Sequence, residues 1–141
     1  ESGRIMQSLA MLHHLSIAVT DIGRAAEFYD HTLAALGYRR VWADLRAGEE
    51  GQAIGYGLKG HGDAFCIKEK AISSVPKGDG FHIAFSAPSR DAVDAFYVYA
   101  LAYGGVDNGP PGLRPEYGEA YYACFVLDPD GHHIEAVINR E

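Results

Sequence analysis

Residues 14–37 align without a gap on residues 82–105, every pair separated by 68 positions. His14-Leu15-Ser16-Ile17-Ala18-Val19 falls on His82-Ile83-Ala84-Phe85-Ser86-Ala87, Phe28-Tyr29 on Phe96-Tyr97, Leu33-Ala34 on Leu101-Ala102 and Gly37 on Gly105. Six identities in 24 positions are few, but they occupy matching structural roles in both copies. A repeat of this kind narrows the chain to architectures that use one supersecondary unit twice.

Each copy reads as a strand followed by a helix. Leu15, Ile17 and Val19 alternate with His14, Ser16 and Ala18, the period of a half-buried strand. Asp21 is an N-cap, Ile22, Ala25, Ala26, Tyr29, Leu33 and Leu36 form one helical stripe, and Gly37 stops the helix. In the second copy Phe81, Ile83 and Phe85 share the apolar face. Ser89 caps a helix striped by Val93, Phe96, Tyr97, Ala100 and Leu101, and Gly104-Gly105 ends it. In both copies the His points away from the face that meets the helix. Further strands are expected near Tyr38–Asp44, Gln52–Leu58, Ala64–Glu69, Ala120–Leu127 and His132–Asn139. Asp128-Pro129-Asp130-Gly131 between the last two fits a bulged three-residue hairpin turn. Both halves therefore read β-α-β-β-β. Residues 108–117, rich in Pro and Gly, are long for a structureless connection and are expected to form a lid.

A chain of 141 residues is one domain by length. Residues 1–10 are read as a cloning scar or a disordered N-terminus, and 11–139 as a single domain. Module one is 11–70, the linker 71–80, and module two 81–139. Apolar residues at 48% and charged residues at 22% are ordinary for a globular protein. The net charge of −7 comes without any Lys/Arg block, which argues against a nucleic-acid or basic membrane partner. No apolar run approaches the ~18 residues of a membrane span, and no secretory signal is visible. Cys66 and Cys124 lie in apolar strands and read as buried thiols of a reducing, cytoplasmic compartment.

The repeat gives Glu135, in the last strand, a partner by subtraction of 68, which is Ile67. A pseudo-twofold arrangement would gather His14, His82, Glu135 and Ile67. Two imidazoles and a carboxylate are a ligand set for divalent Fe, Mn, Ni, Co or Zn that leaves open positions. Small neighbours Ser16, Ala18, Ala84 and Ser86 leave room for a ligand on that face. His13 has the opposite parity to His14 and should point elsewhere. His61, His132 and His133 read as solvated, with His133 placed to reach the cavity rim. With a bulged turn, Glu135 faces Phe125 and Tyr121 shares its side. Without the bulge, Cys124 and Tyr122 take those places.

The repeat, the two strand-opening His residues, Phe28-Tyr29 and the run Asp128-Pro129-Asp130-Gly131-His132-His133-Ile134-Glu135 together resemble the vicinal oxygen chelate superfamily. This group includes glyoxalase I, bleomycin-resistance and fosfomycin-resistance proteins and extradiol dioxygenases. The resemblance covers about residues 11–139. It implies an α+β fold in which two β-α-β-β-β modules form a curved mixed sheet around a central cavity. It further implies one divalent metal per site, held by His14, His82 and Glu135, within one chain or across a swapped homodimer. Beside these ligands, the strand pairing makes Tyr121 the catalytic partner of Glu135, and the long loop offers Arg114 and Tyr117 as the substrate-facing residues.

Glyoxalase I enzymes generally add a second acid or Gln where this chain has Ile67. The resemblance therefore points away from lactoylglutathione lyase activity and towards three-ligand sites. The basic cluster expected around a phosphonate is missing, Arg114 being the only base in the long loop. The reading is a metal-dependent enzyme on a small oxygen-bearing substrate, lyase or dioxygenase in class. The alternative is a metal-independent, bleomycin-resistance-type binding protein.

Overall fold

The computed structural model describes residues 11–75 and 80–140. The reading of residues 1–10, and of the linker at 76–79, lies outside the described residues. The first module contains β1 (Leu15–Val19), α1 (Ile22–Ala35), β2 (Arg39–Asp44), β3 (Ala53–Gly57) and β4 (Phe65–Glu69). After a 3-10 turn at Ile72–Ser74 come β5 (His82–Ser86), α2 (Arg90–Ala102), β6 (Val106–Asp107), β7 (Gly112–Leu113), β8 (Tyr121–Leu127) and β9 (His133–Asn139). The fold is α+β, and the expected mixed sheet is hydrogen-bonded as two sheets, β1-β4-β3-β2 and β5-β9-β8-β6, with β7 also on β8. No helix of the described residues is long and apolar enough to cross a membrane.

Both helices start where a short polar side chain satisfies a free backbone amide. Asp21 Oδ1 accepts from Arg24 N at 3.1 Å and Ser89 Oγ from Ala92 N at 3.1 Å. Each cap is worth about 1 kcal/mol. Gly37 ends α1 at φ +95°, and Gly104 does so for α2 at φ +98°. Gly37 is thus matched by Gly104, not Gly105, because α2 is one residue shorter than α1. Gly105 has another reason to be glycine. A Cβ there would lie 2.7 Å from Ala100 O and 2.8 Å from Phe28 Cε1, so a side chain would push α1 off the end of α2.

The two helices pack on each other and on the inner faces of both sheets, and one core joins the modules. Phe28, Tyr29, Val93, Phe96, Ile67, Ile134 and Val126 are fully buried in it. Each such side chain contributes roughly 1.5–3 kcal/mol. Phe28 joins Tyr29 inside because α1 is covered on two sides. Tyr29 stacks towards Phe65 at 5.0 Å, while Phe28 reaches Gly105. Phe81, expected on the apolar face, is 40% exposed because β5 begins one residue later. Leu101 is likewise 41% exposed at the edge of its stripe.

The two cysteines are free and buried. Burial raises both thiols, Cys124 up to about 12. Since the thiolate is the reactive form, neither should react with an aromatic disulfide reagent at pH 8 until denaturant is added. Rapid labelling of either in the folded protein would contradict this environment.

Candidate metal centre

The parallel pair β5/β9 builds the site. Its register sets His82 opposite His133 and Ala84 opposite Glu135. Ile83, Ile134, Ala136 and Ile138 face the core, so His82, Ala84, His133 and Glu135 face the other way. His82 Nε2 lies 3.2 Å from Glu135 Oε1. Glu135 is 3% exposed and His82 54%, so the carboxylate is sunk while the imidazole edge reaches outward. Tyr121 OH donates to the other oxygen, Oε2. Burial, reinforced by the hydrogen bond to Glu135 and its charge, raises the Tyr121 phenol well above its ordinary range. Tyr121 is therefore a neutral donor at physiological pH.

The β8–β9 turn decides this arrangement. Asp128 N donates to His132 O at 2.9 Å, and Gly131 sits at φ +91°. The bulged register follows, with Phe125 opposite Glu135 and Tyr121 opposite Asn139. A one-residue slip would turn Glu135 into the core.

Around the pair, His82, Asn108, Tyr117, Phe125 and His133 line a cavity of about 200 Å³. Asn108 Nδ2 is 3.4 Å from His133 Nδ1. The Tyr117 and Tyr121 ring centroids are 5.3 Å apart. The Arg114 guanidinium sits over the Phe125 ring at 5.4 Å and donates to Pro110 O. Asn108 escaped sequence reading as a site residue. Phe125 stands opposite Glu135, as the bulged turn predicts. Asn108 carries no comparable signal.

The structure bears on several of the expectations. Of the two arrangements expected for His14, His82 and Glu135, one chain or a swapped dimer, the first is not seen: among the described residues no group of three or more His, Cys, Asp or Glu is gathered as a metal ion requires. His14 is exposed ahead of β1, while Glu135 is sunk on the outer face of β9. His13, expected to diverge, touches His14, with Nδ1 atoms 2.9 Å apart, because both precede β1 and escape its alternation. Ile67 is not the counterpart of Glu135. It is fully buried, opposite Ile17 and Ile54. Cys66 pairs with Ser16 as Glu135 pairs with Ala84, so the offset in the last strands is 69. His132 is not solvated but 1% exposed, its Nδ1 2.7 Å from Asp128 Oδ2.

Nor is the long connection a loose lid. β6 and β7 tie it to β8, with Asn108 N, Arg114 N and Phe125 N in backbone hydrogen bonds at 2.8–2.9 Å. His133 is half-buried on the cavity wall, and His61 is exposed.

Imidazole and carboxylate suit a borderline divalent ion, and donors 3.2 Å apart match two adjacent positions around one ion with bonds near ~2.1 Å. The pair thus fits two of the three expected donor positions.

Comparison with known proteins agrees with this frame. The family model described as Glyoxalase/Bleomycin resistance protein/Dioxygenase superfamily matches residues 11–136. A glyoxalase/bleomycin resistance protein from Albidiferax ferrireducens superimposes with TM-score 0.73 at 28% identity, over 94% of this chain and 100% of that one. The fosfomycin resistance protein FosX from Listeria monocytogenes gives 0.65 at 19% identity, over 94% and 95%. A glyoxalase I mutant from Zea mays gives 0.67 at 18%, over 88% of this chain and 45% of that one. A search of curated proteins finds no match.

Proposed function

This chain belongs to the Glyoxalase/Bleomycin resistance protein/Dioxygenase superfamily, and on that premise we propose that it is a divalent-metal-dependent enzyme acting on a small oxygen-bearing substrate. His82 and Glu135 of one chain and His14 of a second copy are the ligands. The observation that carries this reading is the His82–Glu135 pair on a face turned away from the core, with Tyr121 on the second carboxylate oxygen. A metal held there would act as a Lewis acid towards two neighbouring oxygens of the substrate. The chain's own groups do the rest. Tyr121 keeps Glu135 oriented by donating its hydroxyl proton to the second carboxylate oxygen. Tyr117 and Phe125 wall the substrate cavity, and Asn108 and His133 supply hydrogen bonds at its rim.

The test is metal content after purification without chelator or a nickel column. About one equivalent per chain is expected, falling to background in Glu135→Ala. Equal content in both proteins would overturn the ligand assignment. A wild type without metal that still binds a planar ligand would instead support the binding-protein alternative.

Arg114 and Tyr117 are assigned to the substrate. Arg114→Ala should leave metal content unchanged and weaken binding of a hydroxamate by about tenfold or more, the effect of one lost charge-assisted hydrogen bond. Unchanged hydroxamate affinity would remove Arg114 from the site.

A further inference from the structure

We infer that the β8–β9 turn is the device that positions Glu135, and that it is held by the first module through Tyr29, with Asp128 and Tyr29 as positioning residues. The functional half of this inference rests on the reading of Glu135 as a ligand. The register half does not.

Asp128 is almost fully buried, 1% exposed. Its Oδ1 accepts from Asp130 N at 3.0 Å and His132 N at 2.9 Å. Its Oδ2 accepts from Tyr29 OH at 2.5 Å and lies 2.7 Å from His132 Nδ1. His132 Nε2 has no partner among the described residues. The imidazole is thus held by Asp128 alone, and the cost of its bare nitrogen is offset there. Next to it, Asp130 accepts from Thr20 Oγ1 at 2.6 Å and Thr20 N at 3.2 Å, and pairs with Arg24 at 3.3 Å. Thr20 directly follows β1. The first module therefore grips both acids of the turn, at the strand that follows His14 and through the helix after it.

The grip matters because the turn has a competing solution. Closing the loop between Asp128 and His132 sets Phe125 against Glu135. Moving the closure by one residue sends Glu135 inward and Ile134 outward. Asp128 bonds the backbone of 130 and 132 at once, which only the observed closure permits. Tyr29, 99 residues away, fixes that carboxylate from outside the hairpin.

Register can be read without any metal. Phe125 directs its own N–H to Gly109 O, and its carbonyl accepts from Asn108 N. Towards β9 it therefore forms the narrow, non-hydrogen-bonded pair with Glu135, whose α-protons approach closely. The experiment measures the nuclear Overhauser contact between these α-protons, and Co²⁺ affinity by absorbance titration. The proteins are wild type, Tyr29→Phe, Asp128→Asn, Asp128→Ala and the core control Val93→Ala. The contact should be lost or doubled in Asp128→Ala, and Co²⁺ affinity should fall by about 10–100-fold, as for other groups that orient a ligand. Asp128→Asn, which keeps the backbone acceptor, should restore the contact and most of the affinity. Tyr29→Phe should fall between Asn and wild type. Val93→Ala, destabilised without touching the turn, should retain both. An intact contact with wild-type affinity in folded Asp128→Ala, or equal losses in Val93→Ala, overturns the inference. Should Asp128→Ala not fold, the order of Tyr29→Phe and Val93→Ala decides it. A wild type that takes no Co²⁺ while the contact follows the predicted order refutes the ligand reading and leaves the positioning role standing.

Discussion

Mixing His14→Ala chains with Glu135→Ala chains is expected to recover metal binding that neither protein has alone. Each variant lacks one donor at every site. Removing Glu135 should lower affinity by more than about 100-fold, since losing a group that only orients a ligand already costs about 10–100-fold. In a twofold dimer each site joins His14 of one copy to His82 and Glu135 of the other. A mixed dimer then has one intact site and one doubly broken one. Random re-pairing makes about half the dimers mixed, so about a quarter of wild-type metal should return. A mixture of His82→Ala with Glu135→Ala should recover nothing, because both changes fall in the same half-site. Metal content read after mixed refolding, with gel filtration for the dimer, decides the matter. Recovery in neither mixture, with metal bound by wild type, would place the third ligand elsewhere. The reason to expect recovery lies in the fold: among the described residues of one chain His14 is not gathered with His82 and Glu135.

Much of this site could be read from alternation alone. His82 and Glu135 share a face because a strand has period two, and Tyr121 joins them once the turn is bulged. Caps at Asp21 and Ser89 and the burial of the α1 stripe follow from local chemistry. What could not be read was non-local. A constant offset of 68 holds where both copies have equal lengths, in the first strand and the start of the helix. It falls to 67 at Gly104, where α2 ends a residue early, and the longer connections that follow bring it to 69 at β9. His132 looks like a surface residue beside a turn until Tyr29, 99 positions from Asp128, shares that carboxylate partner. β6 and β7, two residues each, are too short to leave a periodic signal, so the segment that they fasten reads as loop.

The drift has a measurable consequence at neighbouring positions. Ile67→Glu should abolish the fold at neutral pH, whereas Cys66→Glu should not. Ile67 is fully buried between Ile17 and Ile54, where its side chain is worth roughly 1.5–3 kcal/mol. A carboxyl in its place loses that contribution and leaves an unpartnered polar group costing a further ~1–3 kcal/mol even when neutral. The sum approaches the roughly 5–15 kcal/mol that holds a domain together. Burial would raise the new carboxyl's pKa above its unfolded value near ~4.3, so the folded state would bind the extra proton. The penalty is then smallest below about pH 4 and grows by up to ~1.4 kcal/mol per pH unit above it, until the folded pKa is passed. Any residual fold of Ile67→Glu should therefore be seen at pH 4 and vanish by pH 8. Cys66 faces the opposite way, beside Ser16 and next to Gly55, over which the Trp42 ring lies. A glutamate there can reach solvent by displacing that ring, which is 39% exposed. Trp42 is the chain's single tryptophan, so its emission should shift to the red in Cys66→Glu while the melting transition survives. If Ile67→Glu melts like wild type at pH 8, position 67 faces outward, and the pairing of Cys66 with Ser16, which makes it the counterpart of Glu135, is wrong.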